Sequence, residues 1–215
     1  MTIFTKICGL SDVESAMIAE ECGAAYVGFI FYDKSPRHIL PKKAAEISKN
    51  LSRSVIKVAV MVNPTDDYIT DILKEFTPDY LQLHGSESID RVEDIKLNFA
   101  IPVIKAFSVS SRKDVELSLK YTDVANIFLF DAKPPRGSDL PGGNGVSFDW
   151  NILNGFEFEI PVFLSGGIDI NNVSEAVQRT GIKMVDVSSG VESSAGVKDI
   201  IKIRQLLAEI EKIEA

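Results

Sequence analysis

Eight short runs rich in Val, Ile, Leu and Phe recur along the chain, and the stretches between them carry helical punctuation. This alternation limits the fold more than any other feature. The runs occupy residues 3–7, 26–31, 55–62, 80–84, 103–107, 127–131, 162–165 and 184–188. Successive starts lie roughly 20 to 35 residues apart, the length of a strand-plus-helix unit. Most runs are apolar on both faces, as parallel strands must be when helices cover one side and a core fills the other. Ser11 with Glu14 reads as a capping box, Gly23 as a stop and Pro41 as a first-turn residue, while Thr65, Ser86 and Ser110 are candidate N-caps. In the last stretch Ile200, Ile203, Leu207 and Ile210 share a helical face. No linker or compositional break appears. The expected fold is α/β, a single-domain (β/α)8 TIM barrel of eight parallel strands spanning residues 1–215. The alternative, a doubly wound open sheet, lacks the G-x-G-x-x-G expected after its first strand.

Barrel closure gives strand-end residues their meaning, because all the strands deliver their C-terminal ends to one mouth. Cys8 ends the first run and Asp131 ends the sixth. A buried, inert thiol is the commoner fate of an intracellular cysteine. At a strand end, followed by Gly9, a thiolate is also a competent general base. Asp131 follows Ile127-Phe128-Leu129-Phe130, so its carboxyl emerges from an apolar wall where it can keep a proton for donation. A turn or capping role is the alternative for such an aspartate. Cys22, late in a helical stretch, reads as packing.

Ten of the fourteen glycines lie after position 130. They cluster in Pro141-Gly142-Gly143-Asn144-Gly145, Ser165-Gly166-Gly167 and Ser188-Ser189-Gly190. In such barrels the loops after strands seven and eight bind phosphate through backbone N–H groups. Gly143, Gly166, Gly167, Ser188, Ser189 and Gly190 are therefore candidate anion contacts. Tight turns alone would explain isolated glycines, but two clusters on neighbouring strands point further. The Walker pattern is absent, which argues against a nucleoside triphosphate. Arg37, in Ser35-Pro36-Arg37, can present a guanidinium to a ligand carboxylate, and His84 is a further candidate beside the substrate. Strand alternation places Lys6 one layer below Cys8, where Asp186 on strand eight can pair with it and the lysine can help stabilise the thiolate.

Composition narrows the partners. A formal charge of −8 opposes general binding to nucleic acid or to an anionic membrane surface. An anionic ligand then needs a local positive field in its site. Two cysteines give no disulfide framework, the opening residues lack a signal-peptide pattern, and no run approaches the roughly 18 apolar residues of a membrane span. The expected setting is the cytoplasm, and the expected state a monomer.

Taken together, Lys6-Ile7-Cys8-Gly9-Leu10, Ser35-Pro36-Arg37, Gln82-Leu83-His84-Gly85, Gly142-Gly143-Asn144-Gly145 with Phe148-Asp149-Trp150, Leu164-Ser165-Gly166-Gly167 and Asp186-Val187-Ser188-Ser189-Gly190-Val191-Glu192 resemble the phosphoribosylanthranilate isomerase family of tryptophan biosynthesis. The resemblance covers essentially the whole chain. It implies an Amadori rearrangement of N-(5-phosphoribosyl)anthranilate with no metal and no organic cofactor. In that scheme Asp131 protonates the ribose ring oxygen and Cys8 removes the C2′ proton. Arg37 meets the anthranilate carboxylate, and the glycine and serine backbones hold the phosphate. Asn144 and Val146 depart from the family pattern in the loop beyond Asp131. Two rivals are a histidine-pathway type of phosphosugar isomerase and a non-catalytic barrel that binds a phosphate ligand. The first resembles barrels with an aspartate where this chain has Cys8, and the second needs neither Cys8 nor Asp131.

Overall fold

A computed structural model describes residues 2–134, 137, 140 and 142–214; Pro141 of the glycine-rich motif lies outside them. Eight parallel strands close into a barrel in sequence order. They are β1 (Phe4–Cys8), β2 (Tyr26–Phe31), β3 (Ile56–Met61), β4 (Tyr80–Leu83), β5 (Val103–Val109), β6 (Ile127–Ala132), β7 (Val162–Leu164) and β8 (Met184–Val187). All eight expected strands are present, with ends displaced by no more than two residues. Seven α-helices are found among the described residues: α1 (Val13–Glu21), α2 (Pro41–Ser48), α3 (Asp66–Glu75), α4 (Ile89–Phe99), α5 (Arg112–Ser118), α6 (Val173–Thr180) and α7 (Ile200–Glu214). The β6–β7 connection carries instead a short 3₁₀ turn, Trp150–Leu153. None of the helices described is long and apolar enough to cross a membrane.

The helix starts show how local chemistry chooses between neighbours. Thr65 and Pro41 hold the expected places at α3 and α2. At α1 the cap is Asp12, which accepts from the Ser15 N–H, rather than Ser11. Ser88 rather than Ser86 caps α4, and Ser111 rather than Ser110 caps α5 in a reciprocal capping box with Asp114. Ser86 and Ser110 are engaged elsewhere, their N–H groups donating to Asn63 and Asp114. Where several capping residues stand close together, the one in extended backbone at the first turn wins.

Burial divides into two layers, as expected of strands covered on both sides. A larger cluster fills the space between sheet and helices, with Phe29, Phe76, Phe128 and Phe130 among its members. A smaller one fills the barrel interior, where Tyr26 meets Phe163 edge-on at 5.1 Å. A final antiparallel hairpin, β9 (Glu192–Ser194) with β10 (Val197–Lys198), follows β8 outside the barrel and leads into α7.

Helix α4 ends on Ala100, held in the left-handed region at φ 53°. A Cβ is disfavoured there, and glycine is the usual occupant of that position. Ala100→Gly should raise stability by about 0.5–1 kcal/mol. Urea unfolding of the two proteins measures it; equal or lower stability for the variant would contradict the strain at this cap.

Candidate active site

Alternation along β1 points Lys6 and Cys8 into the barrel, and closure against β8 supplies their partner. The β1–β8 register sets Lys6 opposite Asp186. Lys6 Nζ donates to Asp186 Oδ1 at 2.8 Å, and the lysine is fully buried. The Ser165 hydroxyl donates to the other Asp186 oxygen at 3.3 Å. The expected ion pair beneath Cys8 is present.

Gly28 makes room for this arrangement. It lies opposite Cys8 across the β1–β2 pair, and a Cβ there would approach Cys8 Sγ to 2.7 Å and Lys6 Cε to 3.2 Å. Thiol and lysine therefore share a space that a side chain on β2 would fill. Burial pushes the Cys8 thiol above its ordinary range; Lys6 and, less strongly, Lys198 pull it back, while Asp186 pushes it higher. Burial also opposes the Lys6 charge, but Asp186 and Cys8 outweigh it and hold the ammonium above its ordinary value. Lys6 thus acts in the expected direction on the thiol, against the larger effect of burial.

Asp131 is buried at the end of β6. Its Oδ1 accepts from the Ala132 N–H at 2.8 Å, and its Oδ2 lies 3.3 Å from His84 Nε2. Cys8 and Asp131 line one cleft of about 660 Å³ together with Arg37, His84, Gly143, Gly166, Gly167, Ser188 and Ser189. Nine of the ten residues expected at the site thus converge. Gly190 does not line this cleft. It packs against the Ile168 carbonyl, where a Cβ would collide. Gly166 and Gly167 both have positive φ, which turns the chain sharply off β7.

Arg37 is buried and tightly held. Its Nε and Nη2 donate to the two oxygens of Glu192 at 2.7 and 2.8 Å, and Nη2 also reaches the Gly143 carbonyl at 3.2 Å. Glu192 in turn accepts from Lys198 Nζ at 2.8 Å, and the same ammonium donates to the Ser188 carbonyl at 2.9 Å. Two cations thus share one carboxylate beside the cleft. Burial works against the Glu192 charge, but Arg37 and Lys198 hold its carboxyl below the ordinary range. Burial holds Lys198 below its ordinary value in spite of Glu192. This surplus of positive charge supplies the local field that an anionic ligand requires in an acidic chain.

Sequence reasoning missed Glu192 and Lys198 as partners of Arg37. It also gave no part to Gln82, which lines the cleft, or to Lys105, which pairs with Glu87 at 2.9 Å. Lys105 and Gln82 did carry a signal, each a lone polar residue inside an apolar run. Of the two family departures, Asn144 donates to the Leu140 carbonyl within its own loop, and Val146 is exposed.

A family model described as N-(5′-phosphoribosyl)anthranilate (PRA) isomerase matches residues 5–209. An N-(5′-phosphoribosyl)anthranilate isomerase of Brucella canis is 46% identical over 200 residues, covering 93% of this chain and 90% of that protein. The phosphoribosyl anthranilate isomerase of Thermotoga maritima, a dimeric protein, superposes with a TM-score of 0.87 at 35% identity, over 98% of this chain and 100% of its own. A complex of such an isomerase with reduced 1-(o-carboxyphenylamino)-1-deoxyribulose 5-phosphate has a TM-score of 0.82 at 34% identity, over 98% and 100% of the two chains.

Lys6→Met should move the pH midpoint for alkylation of Cys8 upward by at least about one pH unit, because the cation is lost while Asp186 stays. Iodoacetamide modification across a pH series reads this out. An unmoved midpoint would mean that the ion pair does not set the charge of the thiol.

Proposed function

This chain belongs to the N-(5′-phosphoribosyl)anthranilate isomerase family, and on that premise we propose that Cys8 and Asp131 divide the proton transfers of its reaction. The activity is the Amadori rearrangement of N-(5-phospho-β-D-ribosyl)anthranilate to 1-(2-carboxyphenylamino)-1-deoxy-D-ribulose 5-phosphate in tryptophan biosynthesis. One observation carries the assignment: a thiol and a carboxyl far apart in sequence line the same cleft at the barrel mouth.

Asp131 gives its proton to the ribose ring oxygen as the C1′–O bond breaks and the nitrogen lone pair forms a C=N bond. The Cys8 thiolate then takes the proton from C2′, and the electrons released neutralise the iminium, leaving an enolamine. Movement of the enol proton to C1′ yields the ketone. The substrate gains one proton and loses one, so the product is an isomer. The enzyme resets when a proton passes, through solvent, from the thiol to the carboxylate.

The remaining groups bind and orient. The backbones of Gly143, Gly166, Gly167, Ser188 and Ser189 suit the phosphate, with glycine allowing close approach. Arg37, braced by Glu192, suits the anthranilate carboxylate. The expected state is a monomer, and the biosynthetic role fits the cytoplasm.

Cys8→Ser and Asp131→Asn should each lower kcat on the order of 10² or more. The assay is loss of anthranilate-type fluorescence from freshly generated substrate. Near wild-type turnover in either variant would remove that residue from its role.

A further inference from the structure

Asp131 is held on one side by Ala132 and approached on the other by His84, which is itself held. His84 Nε2 stands 3.3 Å from Asp131 Oδ2, while His84 Nδ1 lies 3.1 Å from the side-chain nitrogen of Gln82. Gln82 is fully buried in β4, two residues before His84, so both side chains lean towards the barrel mouth. We propose that Gln82 fixes the proton of His84 on Nε2 and so makes His84 a positioning donor to Asp131. The proposal deepens the role given to Asp131 above and rests on it.

Gln82 selects this tautomer, and Asp131 selects the same one after it has passed on its proton. An amide NH2 group only donates, so the nitrogen facing it must offer a lone pair. A neutral imidazole then carries its one proton on Nε2. Once Asp131 has given up its proton, the carboxylate only accepts, so from that point it demands the same arrangement from the other side. The opposite tautomer would set N–H against NH2 at one end and a lone pair against a carboxylate at the other. Both contacts would be repulsive and half-buried.

The geometry also says when the donor acts. His84 Nε2 is within ion-pair distance of Oδ2 but off hydrogen-bond alignment among the described residues. Oδ1 already accepts from Ala132, so Oδ2 is the oxygen that His84 can serve. As Asp131 passes its proton to the ring oxygen, charge grows on the carboxylate, and the contact tightens into a charge-assisted bond. Gly142 covers the pair: a Cβ there would reach His84 Nε2 at 2.7 Å and strike Asp131 Oδ2. The contact thus forms beneath a loop, where it is worth more than in open water.

Nitrogen-15 NMR of the wild-type protein labelled at histidine tests this without any folding risk. The chain has two histidines, and a His38→Asn variant assigns the pair. Near neutral pH His84 should show a bare Nδ1 and a protonated Nε2; a proton on Nδ1 overturns the proposal. Gln82→Met supplies the kinetic arm. It should mix the two tautomers and lower kcat on the order of tenfold with little change in KM. A raised KM at unchanged kcat would mean that His84 serves substrate binding instead, and would also overturn the proposal. The Asp131 reading fails separately: Asp131→Asn would then keep its turnover whatever tautomer His84 adopts.

Discussion

Closure of β8 against β1 is the constraint on which the rest of the structure depends. That seam pairs Lys6 with Asp186 beside the apolar cluster of the barrel interior, with the Ser165 hydroxyl on the other Asp186 oxygen. Buried charges left unpaired cost several kcal/mol, so a misregistered seam is strongly disfavoured. A slip of one residue would turn Lys6 to the helix-facing side of the sheet and strand Asp186 inside. The register that satisfies this pair also delivers Cys8 to the mouth, with Ser188 at the end of the neighbouring strand. Stability and chemistry are thus set by one alignment.

The same seam explains how an acidic chain presents a site for an anion. Lys6 sits below the thiol, and Arg37 and Lys198 stand beside the cleft around a single carboxylate. Each cation is fixed by an acidic partner, yet the Arg37–Glu192–Lys198 group keeps one positive charge in excess. Burial makes that charge count, because screening by water and salt is weak there. It also raises the thiol, so the fraction of Cys8 ready to act as base is a balance of desolvation against two lysines. The inward-facing residues of β1 and β8 are therefore chosen for charge as much as for packing.

Much of this was legible in the sequence for physical reasons that can be named. Parallel strands buried on both faces leave continuous apolar runs, and all eight were visible as such. Alternation within β1 and β8 was enough to pair Lys6 with Asp186, because a period of two admits no other facing. Helix caps were harder: Ser110 and Ser111, or Ser86 and Ser88, offer the same chemistry one or two residues apart, and tertiary contacts decide between them. Among its described residues the β6–β7 connection has a 3₁₀ turn and no α-helix, unlike the repeating pattern. The clamp on Arg37 was not legible, since Glu192 and Lys198 arrive through a hairpin outside the barrel repeat. Gly190 shares its motif with Ser188 and Ser189 yet packs against the Ile168 carbonyl, which one-dimensional spacing does not reveal.

The central claim is that the Cys8 thiolate, formed in a buried and cation-flanked place, is the base. Single-turnover kinetics with substrate deuterated at C2′, followed across pH, tests it most directly, with Cys8 alkylation measured under the same conditions. The account predicts a primary isotope effect on the chemical step, and a rate that rises with pH at the same midpoint as Cys8 reactivity. A C2′ isotope effect whose rate titrates at a clearly different midpoint would contradict it, because some other group would then be taking the proton.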